Sequence, residues 1–387
     1  MTATAPAVGP GALPGLVRLP EWWGPKVGPL VAVGLGAAAV GRRPPDEAAA
    51  DLLRVVASGG LLGAAAHVLN DLFDGPDDRR IGRDRPAGRL PPAAAGALAG
   101  ALAGAGLRIW RDQPLPATAG VALAAIVGLP VAYSAPPLRL KDRGGAGVAA
   151  DAALAHVAPT VFAVSVMAAA PRSVDRPHRT FLAVTTVWSL AAGVRGIVSH
   201  QLADAADDAV TGTDTWVRRV GPHRARRAAG LALGLEVAAL VGAAVVVGRE
   251  VPGTALATGA VTTAVGVARL AGWWQTPLGA TTADGNRAVL WKAYRVWPAL
   301  AMAVGLVGRD RRWLPAAALA CLATVPWASD ELASLRHYAG VARHDGPSRA
   351  AAGGRAVRRA AKGLVRRRAP GLAAAHRRRS AGTGTAG

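Results

Sequence analysis

The chain has 387 residues, 51% of them hydrophobic and only 18% charged, with a mean hydropathy of +0.27. These values argue against a soluble enzyme and for a polytopic membrane protein. The net charge is 45 − 24 = +21, a balance that in a soluble chain would point to nucleic acid. Here the excess lies between apolar runs and in the C-terminal tail, with no aromatic platform beside it, so nucleic acid is not expected. A soluble Ala-rich helical protein is the bland alternative, and repeated apolar runs of spanning length outweigh it. The single Cys321 rules out a disulfide framework. No basic region followed by an apolar core opens the chain, so no cleavable signal peptide is expected.

Residues 1–21 are Pro- and Gly-rich and read as an irregular segment. Trp22-Trp23 resembles an interfacial belt. Apolar runs of spanning length then follow near 24–41, 52–72, 91–110, 117–134, 147–170, 180–203, 226–248, 252–273, 289–307 and 312–328. The reading is an all-α polytopic bundle of nine or ten transmembrane helices around a central apolar cavity, covering residues 22–330. Lys and Arg concentrate in the loops after spans 2, 4, 6 and 8, which places those loops on the cytoplasmic side of the cell membrane. Residues 331–387 form a basic tail, read as disordered and cytoplasmic, with attraction to anionic lipid.

The stretch from His67 to Leu90 carries the densest chemistry. Asp71, Asp74 and Asp78 fall at i, i+3 and i+7, one helical face, with Asn70 and Asp77 beside them. Bare carboxylates on one face repel each other unless a divalent cation sits between them, and oxygen-only ligands suit Mg²⁺. Arg79, Arg80, Arg83, Arg85 and Arg89 follow at once and are candidates for holding phosphates. Gly75-Pro76 is expected to break or kink this helix.

A second acidic cluster runs from Arg195 to Thr215. His200, Asp204 and Asp208 are spaced by four and form one stripe, and Arg195 lies within the preceding span. Two acidic helix ends on one predicted membrane face suggest a shared site holding two cations or one bridged substrate. Between the clusters lies Tyr133-Ser-Ala-Pro-Pro-Leu-Arg139-Leu-Lys141. Its Pro-Pro pair fixes an extended turn, and Tyr133, Arg139 and Lys141 become candidate phosphate donors. Asp151 and His156 fall inside the fifth span. Functional and structural readings both stand for them: an intramembrane ionisable residue is functional by default, yet an interfacial Asp or a hydrogen-bonded His needs no function. Glu236 and Arg269 are weaker candidates of the same kind.

Three ordered motifs resemble those of the UbiA-type intramembrane prenyltransferase superfamily. The family pattern N-D-x-x-D-x-x-x-D followed by R-P is matched by Asn70, Asp71, Asp74, Asp78 and Arg85-Pro86. Y-S-x-P-P-x-x-L-K is matched from Tyr133 to Lys141, and D-x-x-x-D-x-x-x-G-x-x-T by Asp204, Asp208, Gly212 and Thr215. The sequence departs from the family in its short run after Pro86, in a count of ten spans against the usual nine, and in the basic tail. The resemblance implies that Asp71, Asp74, Asp78, Asp204 and Asp208 are the catalytic, Mg²⁺-holding carboxylates. Asn70, Arg85, Tyr133, Arg139, Lys141, Arg195 and His200 are then the substrate-binding set. It further implies a prenyl diphosphate donor and a small-molecule or lipid acceptor. Phosphoribosyl transfer to a polyprenyl phosphate and terpene cyclisation are the neighbouring reactions, and a transporter is the rival from another class.

Overall fold

The computed structural model describes residues 13–168, 176–254 and 292–324. Those residues are helical, and their one β-type contact is an isolated parallel bridge between Gly144 and Thr215. A short α1 (Leu13–Leu16) precedes α2 (Leu19–Val40), α3 (Pro45–Arg80), α4 (Pro92–Arg108) and α5 (Ala117–Ser134). The fifth apolar run is α6 (Gly145–Ala152) and α7 (Ala158–Met167), joined by a π-helical turn over Ala153–Val157. Next come α8 (Arg176–Ala203), the short α9 (Ala205–Thr211) and α10 (Trp216–Val220), and the long α11 (Pro222–Gly248). After residues 255–291, α12 (Lys292–Arg309) and α13 (Leu314–Thr324) complete the described part.

Six of these are long and apolar enough to cross a membrane: α2, α3, α5, the α6–α7 unit, α8 and α11. The expected span at 252–273 and the tail at 331–387 fall outside the described residues, as does Arg269. The helices are apolar around most of their circumference, which suits a lipid solvent. Val121, Leu231 and Leu322 are each more than 70% exposed, and in lipid that costs nothing. Inside, α8 packs along α11, α3 along α4, and α2 along α12 and α7. Close packing of α2 on α12 depends on Gly28, where a Cβ would fall 2.2 Å from the Arg295 carbonyl oxygen.

Three local expectations are corrected. Residues 13–21 are not wholly irregular: α1 lies there, and α2 starts at Leu19 because Pro20 is tolerated in a first helical turn. Gly75-Pro76 does not break α3, which continues to Arg80. The proline lies so near the helix end that it forfeits little, and Gly75 packs against Gly88. Trp22 is not in an interfacial belt. It is buried, stacked on His67 with ring centroids 5.2 Å apart.

Candidate active site at the helix ends

α3, α5 and α8 each carry an apolar stretch that turns polar over the last turns. Their polar ends enclose a cavity of about 180 Å³. From α3 it receives Asn70, Asp74, Asp77 and Asp78, spaced so that all four fall on one helical face. From α8 and the turn into α9 come His200, Gln201, Asp204, Asp207 and Asp208. Tyr133 ends the α5 wall, and the loop after it supplies Lys141.

Two connections hold the three motifs in register. Ser134 Oγ donates to Asn70 Oδ1 at 3.2 Å, tying the second motif to the first. Gly144 N donates to the Asp214 carbonyl at 3.1 Å, tying the second to the third. Gly144 has φ +55°, and a Cβ there would lie 2.8 Å from the Arg219 side chain, which itself grips Asp214. Glycine is therefore required at this crossing. Arg143 staples the Pro-Pro loop by donating to the carbonyls of Leu138 and Pro137.

Cations hold nearly every carboxylate in the cavity wall. Lys141 Nζ donates to Asp74. Arg139 Nη2 reaches Asp77 at 2.7 Å, and its Nε reaches Asp142 at 2.6 Å. Arg83 Nη2 bridges Asp204 at 3.0 Å and Asp207 at 2.7 Å, joining the loop after the first motif to the third. Burial opposes the charge on Arg83, but the hydrogen bond to Asp204 and the fields of Asp204 and Asp207 outweigh it and hold its pKa above the ordinary value. Arg85 lies 3.9 Å from Asp78 and 3.1 Å from Glu21. Burial pushes the Asp208 carboxyl up, and the neighbouring Asp204 charge adds to that.

The structure brings together Asn70, Asp74, Asp78, Arg85, Tyr133, Lys141, His200, Asp204 and Asp208 around this one cavity. Three expected site residues are not in its wall. Asp71 is fully buried and accepts a hydrogen bond from Arg18 Nη1 at 2.9 Å. Arg139 stands behind the wall, holding Asp77 and Asp142. Arg195 sits deeper in α8, in a fully buried ion pair with Glu236 of α11 (Nε–Oε2 2.5 Å, Nη2–Oε1 3.0 Å). That pair also accounts for Glu236, an intramembrane acid whose partner the sequence did not reveal. Asp77, Asp207 and Arg83 were visible in the motif stretches but off the faces chosen for them. Arg18, by contrast, is placed by α1 and α2 alone, and its left-handed backbone (φ +53°) turns the chain over the site.

The donor set fits a divalent cation in chemistry: oxygen-only, drawn from two helices, with the buried Oδ2 atoms of Asp71 and Asp208 lacking a hydrogen-bond partner among the described residues. With basic arms on them, no three of the described acidic or imidazole groups converge closely enough to ligate one ion.

A second cavity, of about 150 Å³, lies next to the polar one on the same helices. His67, Pro130 and Arg195 line it, each within about one turn of Asn70, Tyr133 and Ile197 in the polar wall. Its other walls are apolar and aromatic, including Trp22, Leu62, Phe162 and Trp188. The arrangement is a charged mouth opening on an apolar interior, suited to a molecule with an anionic head and a hydrocarbon tail.

A model of the UbiA prenyltransferase family matches residues 27–282. A solved structure of a UbiA homolog from Archaeoglobus fulgidus bound to DMAPP and Mg²⁺ superposes with a TM-score of 0.55 at 16% identity, covering 76% of this chain and 98% of that one. The same homolog bound to GPP and Mg²⁺ gives 0.53 at 16% identity, with the same coverage. A structure of digeranylgeranylglyceryl phosphate synthase gives 0.51 at 15% identity, covering 77% and 98%. No curated protein matches the sequence. At such identities the solved structures speak for the fold.

Proposed function

Since the chain belongs to the UbiA prenyltransferase family, we propose that it moves a prenyl group from its diphosphate to an acceptor, with Mg²⁺, at the cytoplasmic ends of α3, α5 and α8. The observation that carries this reading is the pairing of the two cavities: carboxylates and basic arms at the mouth, and apolar walls directly below. Structural neighbours of the same fold bind DMAPP or GPP with Mg²⁺, which supports the choice of donor and ion.

Asp74, Asp78, Asp204 and Asp208 would hold the metal, with Asp71 directly behind. Mg²⁺, when bound, supplies positive charge that neutralises the diphosphate as it departs. The remaining work belongs to the chain. Lys141, Arg83, Arg85 and Arg18 are now engaged with carboxylates. Once the carboxylates are satisfied by a cation, these arms become donors for phosphate oxygens. Tyr133 stands between mouth and interior, where its hydroxyl can donate to the same oxygens. The hydrocarbon tail lies in the apolar cavity, which keeps water from the allylic carbon as the C–O bond lengthens. The clusters sit at helix ends beside basic loops, not on broken helices at mid-membrane, which favours phosphate chemistry over a transport path.

The test is diphosphate release by membranes holding this protein, given geranyl, farnesyl and geranylgeranyl diphosphates with and without Mg²⁺. Mg²⁺-dependent release, lost in an Asp74→Ala, Asp204→Ala variant and accompanied by a new prenylated mass, is expected. Absence of release from every donor, with a cell extract supplying acceptors, would overturn the reading.

A further inference from the structure

The apolar cavity contains a cation that the proposed transfer leaves unused. Lys26 projects from α2 into the cavity, and His156 meets it from the opposite wall with Nζ and Nε2 2.8 Å apart. His156 lies in the π-helical turn that interrupts the α6–α7 span, and such turns recur where a helix presents a functional side chain. An ammonium has three donors and no acceptor, so His156 Nε2 accepts and its imidazole is neutral. Two Lys26 donors remain for the cavity. The other ionisable groups nearby are committed or remote. Arg195 is paired with Glu236, His67 Nδ1 donates to the Gly63 carbonyl, and Asp151 acts on Lys26 only from beyond ion-pair distance.

A cation among apolar walls without a counter-ion is costly, and an anion brought by a ligand removes the cost. We infer that Lys26, oriented by His156, seats an oxyanion of the acceptor, a carboxylate or a group of like charge. This rests on the prenyl-transfer reading and narrows its acceptor class. It also couples the two substrates. A bare ammonium within a turn or two of the mouth opposes formation of an allylic cation, and an acceptor oxyanion on Lys26 lifts that opposition. The bond changes are those of the transfer. The C1–O pair leaves with the diphosphate, the acceptor's attacking atom supplies the pair for the new C1 bond, and any proton it sheds departs with the diphosphate. The oxyanion on Lys26 is not the attacking group and is unchanged.

The test uses the full chain in detergent with geranyl diphosphate and Mg²⁺. Cyclohexanecarboxylate serves as the anion probe, since it has the charge but no carbon to be prenylated, and its amide is the neutral control. The carboxylate should speed diphosphate release by the wild-type protein and the amide should not. Lys26→Met should release diphosphate without any probe about tenfold faster than wild type and ignore both, a gain that simple structural damage does not produce. Lys26→Arg should retain the response to carboxylate. The inference is overturned if Lys26→Met, still thermally stabilised by geranyl diphosphate and Mg²⁺, releases no faster than wild type, or if the amide acts as well as the acid. Should Lys26→Met fail to fold, the acid–amide comparison on the wild-type protein decides. If the wild-type protein neither binds nor cleaves geranyl diphosphate, the transfer reading falls. The seat is then judged by thermal stabilisation of the wild type and Lys26→Arg by the carboxylate over the amide.

Discussion

The Arg195–Glu236 pair gives a sharp test of where structure ends and binding begins. Both side chains are buried, at 2% and 0% exposure, and joined through two contacts between α8 and α11. Glu236→Gln keeps the shape and removes the charge, leaving Arg195 buried without its counter-ion. Breaking one side of such a pair costs about 3–5 kcal/mol, or roughly two to three and a half decades in the folding equilibrium. Replacing both partners, as Arg195→Met with Glu236→Leu, should recover most of that loss, since well-packed apolar groups replace a buried ion pair at little cost. The assay is unfolding in mixed micelles of rising SDS fraction, followed by tryptophan fluorescence, with the affinity for geranyl diphosphate and Mg²⁺ measured on each variant. The expected pattern is a stability loss in the single variant, recovery in the double, and affinity within about threefold throughout, since the pair contributes about one bond's worth or less at the mouth. Wild-type stability in Glu236→Gln, or a tenfold loss of diphosphate affinity confined to Arg195→Met, would show that Arg195 serves the substrate and that the structural account is wrong.

Other expectations follow from the mouth. Arg83→Ala removes the bridge to Asp204 and Asp207 and should weaken geranyl diphosphate binding about tenfold to hundredfold, on the scale of one charge-assisted hydrogen bond. Arg80→Ala, whose side chain is 65% exposed and reaches only Asp77, should leave it unchanged in the same titration. Asp74→Asn should abolish Mg²⁺-dependent thermal stabilisation by geranyl diphosphate while the metal-free melting curve stays in place. Gly144→Ala forces an L-residue to positive φ beside Arg219 and should cost about 1–2 kcal/mol, with earlier loss of hydrogen-exchange protection at Gly144 and Thr215 than elsewhere. Because burial raises Asp208 above the ordinary carboxylate range, its ionised form is harder to reach in the folded protein. Mg²⁺ binding, which needs that form, should therefore weaken on acidification sooner than in Asp208→Asn, where the dependence flattens.

Much of this protein was legible from residue order alone. Apolar runs of about twenty residues can only be helices in lipid, because the backbone must satisfy itself where no water is available. Carboxylates at i, i+3 and i+4 spacings share a helical face wherever that helix goes. Those two local rules already placed Asp74, Asp78, Asp204, Asp208 and Lys141 in one class of chemistry. They could not say which helices would be neighbours. Arg195 looked like a substrate cation until α11 delivered Glu236 to it across 41 positions of sequence. Arg18, Lys26 and His156 belong to no motif. Arg18 reaches Asp71 because of one left-handed residue between α1 and α2, and Lys26 meets His156 because α2 lies against α7, just after a π turn. Periodicity is set by each helix's own geometry and is written into its sequence. Partnership between buried charges is set by which helix faces pack together, and only the folded bundle decides that.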